Sequence, residues 1–349
     1  MINKENLFWY LSPQLEKFKD KVFLSAVGAR TCYNKEDICY LLEEDERIIS
    51  NEQRSDFLKR LGFQYYHTSV FSHTFDYFEI KNLNYEILLG ILGKRGKILW
   101  QKFGDLYNYN ETATEILNSI VALIISSNLF KSVYVPDNEV VGLSLRHFVE
   151  LAENCKECKD KLEDLFRNSD FKLQEITKKY YEDFKNKRIN VLPLYISKDY
   201  KGWCVFAVQD VSRIMTHQLV RHTKLNFSQR SQRYVFEGDK NEVDYRKFKD
   251  LFVVPESIKK IPEIHDKFLD LQFHSYRFYV DAVKSKIPKE DARFGLLEAS
   301  KTSIIISGTY EDIKDFIEKR NIPQAQWEIR SIAQQMKDIL SEFEKSMIK

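Results

Sequence analysis

Turn-forming residues are sparse along this chain: its 349 residues hold only 11 Gly and 7 Pro, set among abundant Lys, Glu and Leu. Gly and Pro are what let a backbone reverse direction cheaply. A chain so poor in them cannot make the many reversals of a β-sandwich, so helix should dominate. Hydrophobic residues make up 43% of the sequence, which is too many for a disordered chain and enough for one large domain or two ordinary ones.

Charge excludes other classes. The 54 basic and 52 acidic residues leave a net charge of +2, so there is no global argument for nucleic acid or membrane binding. Five cysteines, Cys32, Cys39, Cys155, Cys158 and Cys204, form an odd and scattered set. That argues against a disulfide framework and for a reducing compartment, with Cys155 and Cys158 read as two ordinary thiols. The opening residues carry charge early and no sustained apolar run. With no stretch as long as a membrane span, the expected location is the cytoplasm.

Periodicity gives the expected elements. Residues 14–49 read as helix, a short extended piece at 22–27, then helix; 51–61 read as helix and 74–80 as a strand. Between 81 and 202 the character changes to a mainly helical block, with helices expected at 85–103, 111–129, 143–152 and within 159–187. Residues 203–208 read as a buried strand, Asp210 as the cap of a helix over 211–222, and 223–233 as a polar loop. One long helix is expected at 255–286 and a short helical piece at 289–297. A strand follows at 302–307, then a helix at 311–318 and an amphipathic helix at 325–347.

Chemistry is concentrated in one place. Of 17 Arg, four fall within 21 residues: Arg213, Arg221, Arg230 and Arg233. Arginine suits planar, bidentate recognition of phosphate and carboxylate. His217, Gln218, His222, Asn226, Ser228, Gln229 and Ser231 share the stretch, and such a set of donors fits a phosphorylated heterocycle or, equally, a solvated polar face. If the helix continues, Gln218, Arg221, His222 and Leu225 share one face. No Gly-rich phosphate loop is present, which excludes a Rossmann or P-loop reading. No HExxH pattern or carboxylate spacing supports a metal site.

The segment Arg221-His222-Thr223-Lys224-Leu225-Asn226-Phe227-Ser228-Gln229-Arg230-Ser231-Gln232-Arg233-Tyr234 resembles the signature of flavin-dependent thymidylate synthases, an Arg-His-Arg followed after seven residues by Ser. Four other pieces match in order. They are Ala29-Arg30-Thr31-Cys32-Tyr33, His67-Thr68-Ser69-Val70-Phe71-Ser72-His73, Asp291-Ala292-Arg293, and Arg320 followed by Ala325-Gln326-Trp327-Glu328-Ile329-Arg330. The resemblance covers roughly 1–80 and 203–349, so 81–202 is read as an insertion into a discontinuous core. It implies an α+β fold with a mixed sheet flanked by helices, in a homotetramer with active sites shared between subunits.

The activity it implies is conversion of dUMP to dTMP, with FAD as cofactor and NADPH and methylene-tetrahydrofolate as co-substrates. Arg320 resembles the arginine that favours ionisation of the uracil ring. Gln218, Arg221, Gln229, Ser231, Arg233, Arg293 and Arg320 resemble dUMP contacts. His67, Ser69, Arg221, His222, Thr223, Gln229, Thr309 and Asp315 fall at flavin positions. The chain departs from the pattern at Thr223, where the family has a second Arg, and at Leu297, where it has Pro. Three rival readings remain open: a flavin and pyrimidine-nucleotide protein with another one-carbon transfer, a binder whose flavin site has decayed, and, against the charge balance, a nucleic-acid-binding helical protein that uses the arginine cluster on phosphates.

Overall fold

A computed structural model of the chain describes residues 4–79, 87, 133–137, 140–198, 202–237 and 248–347. The helices expected at 85–103 and 111–129 lie outside these residues. In chain order the described elements begin with α1 (Lys4–Leu11), α2 (Val22–Tyr33), α3 (Ile38–Glu43), α4 (Glu46–Ile49) and α5 (Asn51–Lys59). Next come β1 (Phe75–Glu79), β2 (Val133–Asp137), β3 (Val140–Ser144), α6 (Leu145–Leu151), α7 (Lys156–Arg167) and α8 (Glu175–Lys185). The remainder is β4 (Val191–Ile196), β5 (Trp203–Ser212), α9 (Arg213–Leu219), β6 (Asn226–Gln229), α10 (Glu256–Lys259), α11 (Pro262–Lys284), α12 (Lys289–Ala292), β7 (Lys301–Thr309), α13 (Tyr310–Arg320) and α14 (Trp327–Met347). Helices and two antiparallel sheets make the fold α+β, as expected. No helix among the described residues is long and apolar enough to cross a membrane.

The chain divides into two compact units, 1–26 with 44–172 and 27–43 with 173–349. The expected boundaries at 80/81 and 202/203 follow sequence; the contacts follow shared cores instead. In the first unit, β3 is the central strand between β1 and β2, and Phe18, Phe78 and Phe148 pack with ring centroids 5.3–5.6 Å apart. Phe148 lies in the expected insertion, so that block supplies core to this unit. The block also contributes three strands, β2, β3 and β4, beside its helices.

Several local expectations are corrected. Residues 22–27 are helical, part of α2. The run is buried on every side, so no apolar–polar alternation marks its period. The helix expected over 255–286 is two helices, because Pro262 cannot continue α10 and instead begins α11 at its first turn. Cys155 and Cys158 are joined as a disulfide at the start of α7, where the Cys155 sulfur also accepts the Cys158 N–H. Spacing four positions in sequence onto a helix's first turn is what brings the two sulfurs together.

The first unit also carries two histidines that burial holds neutral. His73 is fully buried and its pKa is pushed down to about 3. That of His147 is pushed down to about 4 by burial, opposed by Glu150 and a backbone hydrogen bond at Ser144. In the unfolded chain both titrate near 6.5. Between pH 6.5 and about 4 the unfolded state therefore binds more protons, so stability is full above 6.5 and falls as pH drops. Each histidine contributes a slope of up to about 1.4 kcal/mol per pH unit. Urea unfolding at pH 7 and pH 5 is expected to differ by roughly 3 kcal/mol for this unit, and by about half that in His73→Phe. An unchanged acid loss in the variant would count against this assignment.

In the second unit the sheet order is β4-β5-β7-β6, all antiparallel. The register pairs Phe206 with Ile306 and Val208 with Ile304, which places these side chains on one face. α14 covers that face. Its buried Ile329, Ile332, Ala333, Met336, Ile339, Leu340 and Phe343 recur at three- and four-residue spacing, the stripe of an amphipathic helix. Each such large side chain stabilises by about 1.5–3 kcal/mol on burial.

Candidate functional site

The site is built where β5 passes into α9. β5 runs to Ser212 rather than stopping at Val208, because its pairing with β7 resumes at Val211↔Thr302 after a bulge. Asp210 sits in that bulge with φ 58°, a left-handed conformation that Asp tolerates, and pairs with Lys301 at 3.5 Å. Asp210 is thus not the cap of the helix. Ser212 is: its hydroxyl accepts the Met215 N–H at 3.1 Å. The Ser212 N–H donates to the Glu328 carboxylate at 2.6 Å, and the Ser212 hydroxyl donates to it as well. Burial raises the Glu328 pKa and these bonds oppose the rise. Glu328 thereby ties the start of α14 to the start of α9. In the sequence Glu328 stands within the segment 325–330, and no local pattern there assigns it a role.

α9 ends at Leu219, and residues 220–225 are turns closed by short-range bonds such as His222 N–H to Leu219 carbonyl at 3.0 Å. The shared helical face expected for Gln218, Arg221, His222 and Leu225 does not form. The expected polar loop likewise contains a strand, β6, which pairs with β7. The reversal is seated by Leu225 against Gly308, where a Cβ on the glycine would lie 2.5 Å from the leucine side chain. β7 therefore needs Gly at that position for close approach.

This path divides the four clustered arginines into two kinds. Arg213 and Arg230 are internal braces. Arg213 donates to the Arg230 carbonyl at 2.8 Å; Arg230 donates to the carbonyls of Lys35 and Lys301 and lies 3.5 Å from Glu237. Burial lowers the Arg213 pKa, Glu237 opposing and Arg230 and Arg293 adding to the fall. A cavity of about 150 Å³ beside them is lined by Arg230, Gln232, Glu237, Tyr276 and Lys301. Arg221 and Arg233 are exposed. Among the described residues no acceptor engages the Arg221 guanidinium, while Arg233 pairs with Glu290 at 2.8 Å. Arg293 donates to the Glu290 carbonyl at 3.3 Å, so Arg233 and Arg293 meet at one residue. Ser231 lies between these groups, its N–H bonded to the Cys32 carbonyl and its hydroxyl accepting the Arg233 N–H at 3.2 Å.

The second cluster joins residues 98 apart. Arg320, at the end of α13, donates its Nε–H to His222 Nε2 at 2.8 Å. The His222 ring stands edge-on to Phe316 with centroids 5.0 Å apart. Burial, Arg320 and Lys319 push the His222 pKa down to about 4, with Asp315 opposing. Other expected positions are engaged internally. The Gln229 amide donates to Thr216 at 3.0 Å; Thr309 caps α13 and bonds Asp312; Asp315 pairs with Lys319. Thr223 is exposed, and Lys224 turns to Asp312 at 3.9 Å. His67 and Ser69 belong to the first unit, where the Ser69 hydroxyl lies 3.3 Å from His67 Nε2.

Residues 203–343, which contain both clusters, match the family described as thymidylate synthase complementing protein. This part of the chain is similar to that family. Its curated relatives carry the name flavin-dependent thymidylate synthase. Those of Thermococcus onnurineus and Pyrococcus furiosus are each 37% identical over 131 residues, 38% of this chain and 51% of theirs. That of Geobacter sulfurreducens is 36% identical over 135 residues. The chain thus spans about half the length of the curated relatives it matches. Among solved structures, a flavin-dependent thymidylate synthase from Helicobacter pylori, in complex with FAD and dUMP, aligns over 40% of this chain and 67% of its own, at 19% identity and a TM-score of 0.34.

Burial pushes the Cys32 and Cys39 thiols up to about 11 and the Cys204 thiol higher still. None of the three is poised as a thiolate, the form a cysteine nucleophile needs.

Proposed function

We propose that this chain is a FAD-dependent thymidylate synthase that converts dUMP to dTMP, with methylene-tetrahydrofolate as carbon donor and NADPH as reductant. The observation that carries the reading is the Arg320–His222 pair, which places the arginine expected at the uracil beside the histidine expected at the flavin. Arg221, Arg233 and Arg293 would supply the donors a nucleotide phosphate requires. Gln218 and Ser231 would read the sugar and base. The Arg320 guanidinium would stabilise negative charge at N3 of the uracil ring, making C5 the better nucleophile. Ser231 has no histidine–acid pair beside it among the described residues, so its part is binding.

The residues of the second unit fit a flavin in donor chemistry: the Arg221 guanidinium meets no protein acceptor among the described residues, and His222 offers a further polar group. When bound, FAD supplies two-electron transfer, and the protein orients, stabilises charge and excludes water. Self-association as a homotetramer belongs to the same reading, as does treatment of 1–80 and 203–349 as the catalytic core.

The test is a visible spectrum of the purified chain loaded with FAD, desalted, and then titrated with dUMP. A retained flavin band that shifts with dUMP, followed by dTMP formation, is the expected result. Loss of flavin with dUMP still bound would favour a decayed binder, with Thr223 in place of the family's arginine as its cause.

A further inference from the structure

Arg320 carries a constraint that its expected contact with a nucleotide does not explain. A guanidinium offers only N–H donors and no acceptor, so the Nε–H must be the donor in its 2.8 Å bond to His222 Nε2. The acceptor nitrogen then holds a lone pair, and the ring is neutral with its proton on Nδ1. The edge-on contact with Phe316 fixes the ring plane, and Phe316 and Arg320 lie four residues apart on α13, on one face of that helix. The charged groups around the ring are Arg320, Lys319 and Asp315; burial first, and then two cations against one anion, keep it neutral.

The bond uses one of the five N–H donors of the guanidinium and leaves the four on Nη1 and Nη2. Among the described residues neither terminal nitrogen meets an acceptor. A free arginine side chain loses rotamer entropy when a ligand orders it. Held at Nε, it has already lost much of that freedom, and its fork stands ready for a planar ligand edge.

We propose that His222 is a positioning residue for Arg320: its neutral imidazole holds Nε so that the Nη1–Nη2 edge is preset for the nucleotide base, independently of any contact His222 makes with flavin. This rests on the dUMP reading given above.

The experiment is a double-mutant cycle on the full-length chain, with dUMP as the probe, measured by calorimetry without flavin and at saturating FAD. The variants are His222→Ala, His222→Gln, Arg320→Ala and the Ala/Ala pair, each checked for an unchanged melting temperature. His222→Ala is expected to weaken dUMP binding about tenfold. His222→Gln, which keeps an acceptor for Nε, should come within about threefold of the native chain. In the Arg320→Ala background, removing His222 should cost nothing further. Additive losses, or failure of Gln to restore what Ala removes, would overturn the positioning role. So would native dUMP affinity in His222→Ala while Arg320→Ala is impaired. If Arg320→Ala itself leaves dUMP affinity unchanged, the nucleotide reading falls and the proposal falls with it.

Discussion

Replacing Arg320 by alanine is expected to lower the rate of dTMP formation by about two to three orders of magnitude, the usual cost of removing one preorganised charge-stabilising donor. FAD retention should change by less than about threefold. The split follows from where the side chain sits. Its one protein partner among the described residues is His222, at 2.8 Å, and its terminal nitrogens remain available to a ligand. The α13 helix keeps its cap, Thr309 at the other end, and its core contacts Ile313, Phe316 and Ile317, and loses only one of two cations in its last turn. Single-turnover rates with the flavin reduced beforehand separate chemistry from binding. A variant that forms dTMP at close to the native rate would remove Arg320 from the ionisation role.

The second large effect is on stability. Arg54 is fully buried in the first unit and joins three segments. It donates to the Asn51 side chain at 2.8 Å, to the Ser169 carbonyl at 2.5 Å and hydroxyl at 3.1 Å, and to the Ile48 carbonyl. Burial pushes its pKa down to about 10, with Asp170 opposing. Arg54→Met keeps the apolar stem but leaves the two carbonyls buried and unpaired, at a cost of about 3 kcal/mol. The melting temperature should fall by roughly 6–12 °C. Arg54→Lys should recover little, because a compact ammonium cannot reach acceptors on three segments at once. A melting temperature within about 2 °C of native in Arg54→Met would show the network to be dispensable.

Much of the second unit was legible before its coordinates. The strand at 203 and the strand near 304 announce themselves as short apolar runs, buried on both faces, and the helices over 311–318 and 325–347 by period, because each helix buries one face and exposes the other. α2 does not, since Val22 to Ala26 are buried all round and no face is left to read. α9 was read too long because turn residues 220–225 carry helix-compatible side chains; what stops the helix is the pairing of β6 with β7, a contact made 75 and more residues away.

The sequence by itself determined the α+β class and the inventory of polar groups, because these depend on residue type and local spacing. It could not sort that inventory. Arg213, Arg221, Arg230 and Arg233 are chemically alike, yet two brace backbone carbonyls inside the unit and two stand exposed. Gln229 and Thr309 look like ligand contacts and are engaged by Thr216 and Asp312. Glu328 looks like a surface residue of a helix start and is a buried anchor for Ser212. Only the tertiary structure decided these, and it alone brought Arg320 to His222. Which donor meets which acceptor is set by strand register and helix packing between residues far apart in the chain, and no local pattern encodes that.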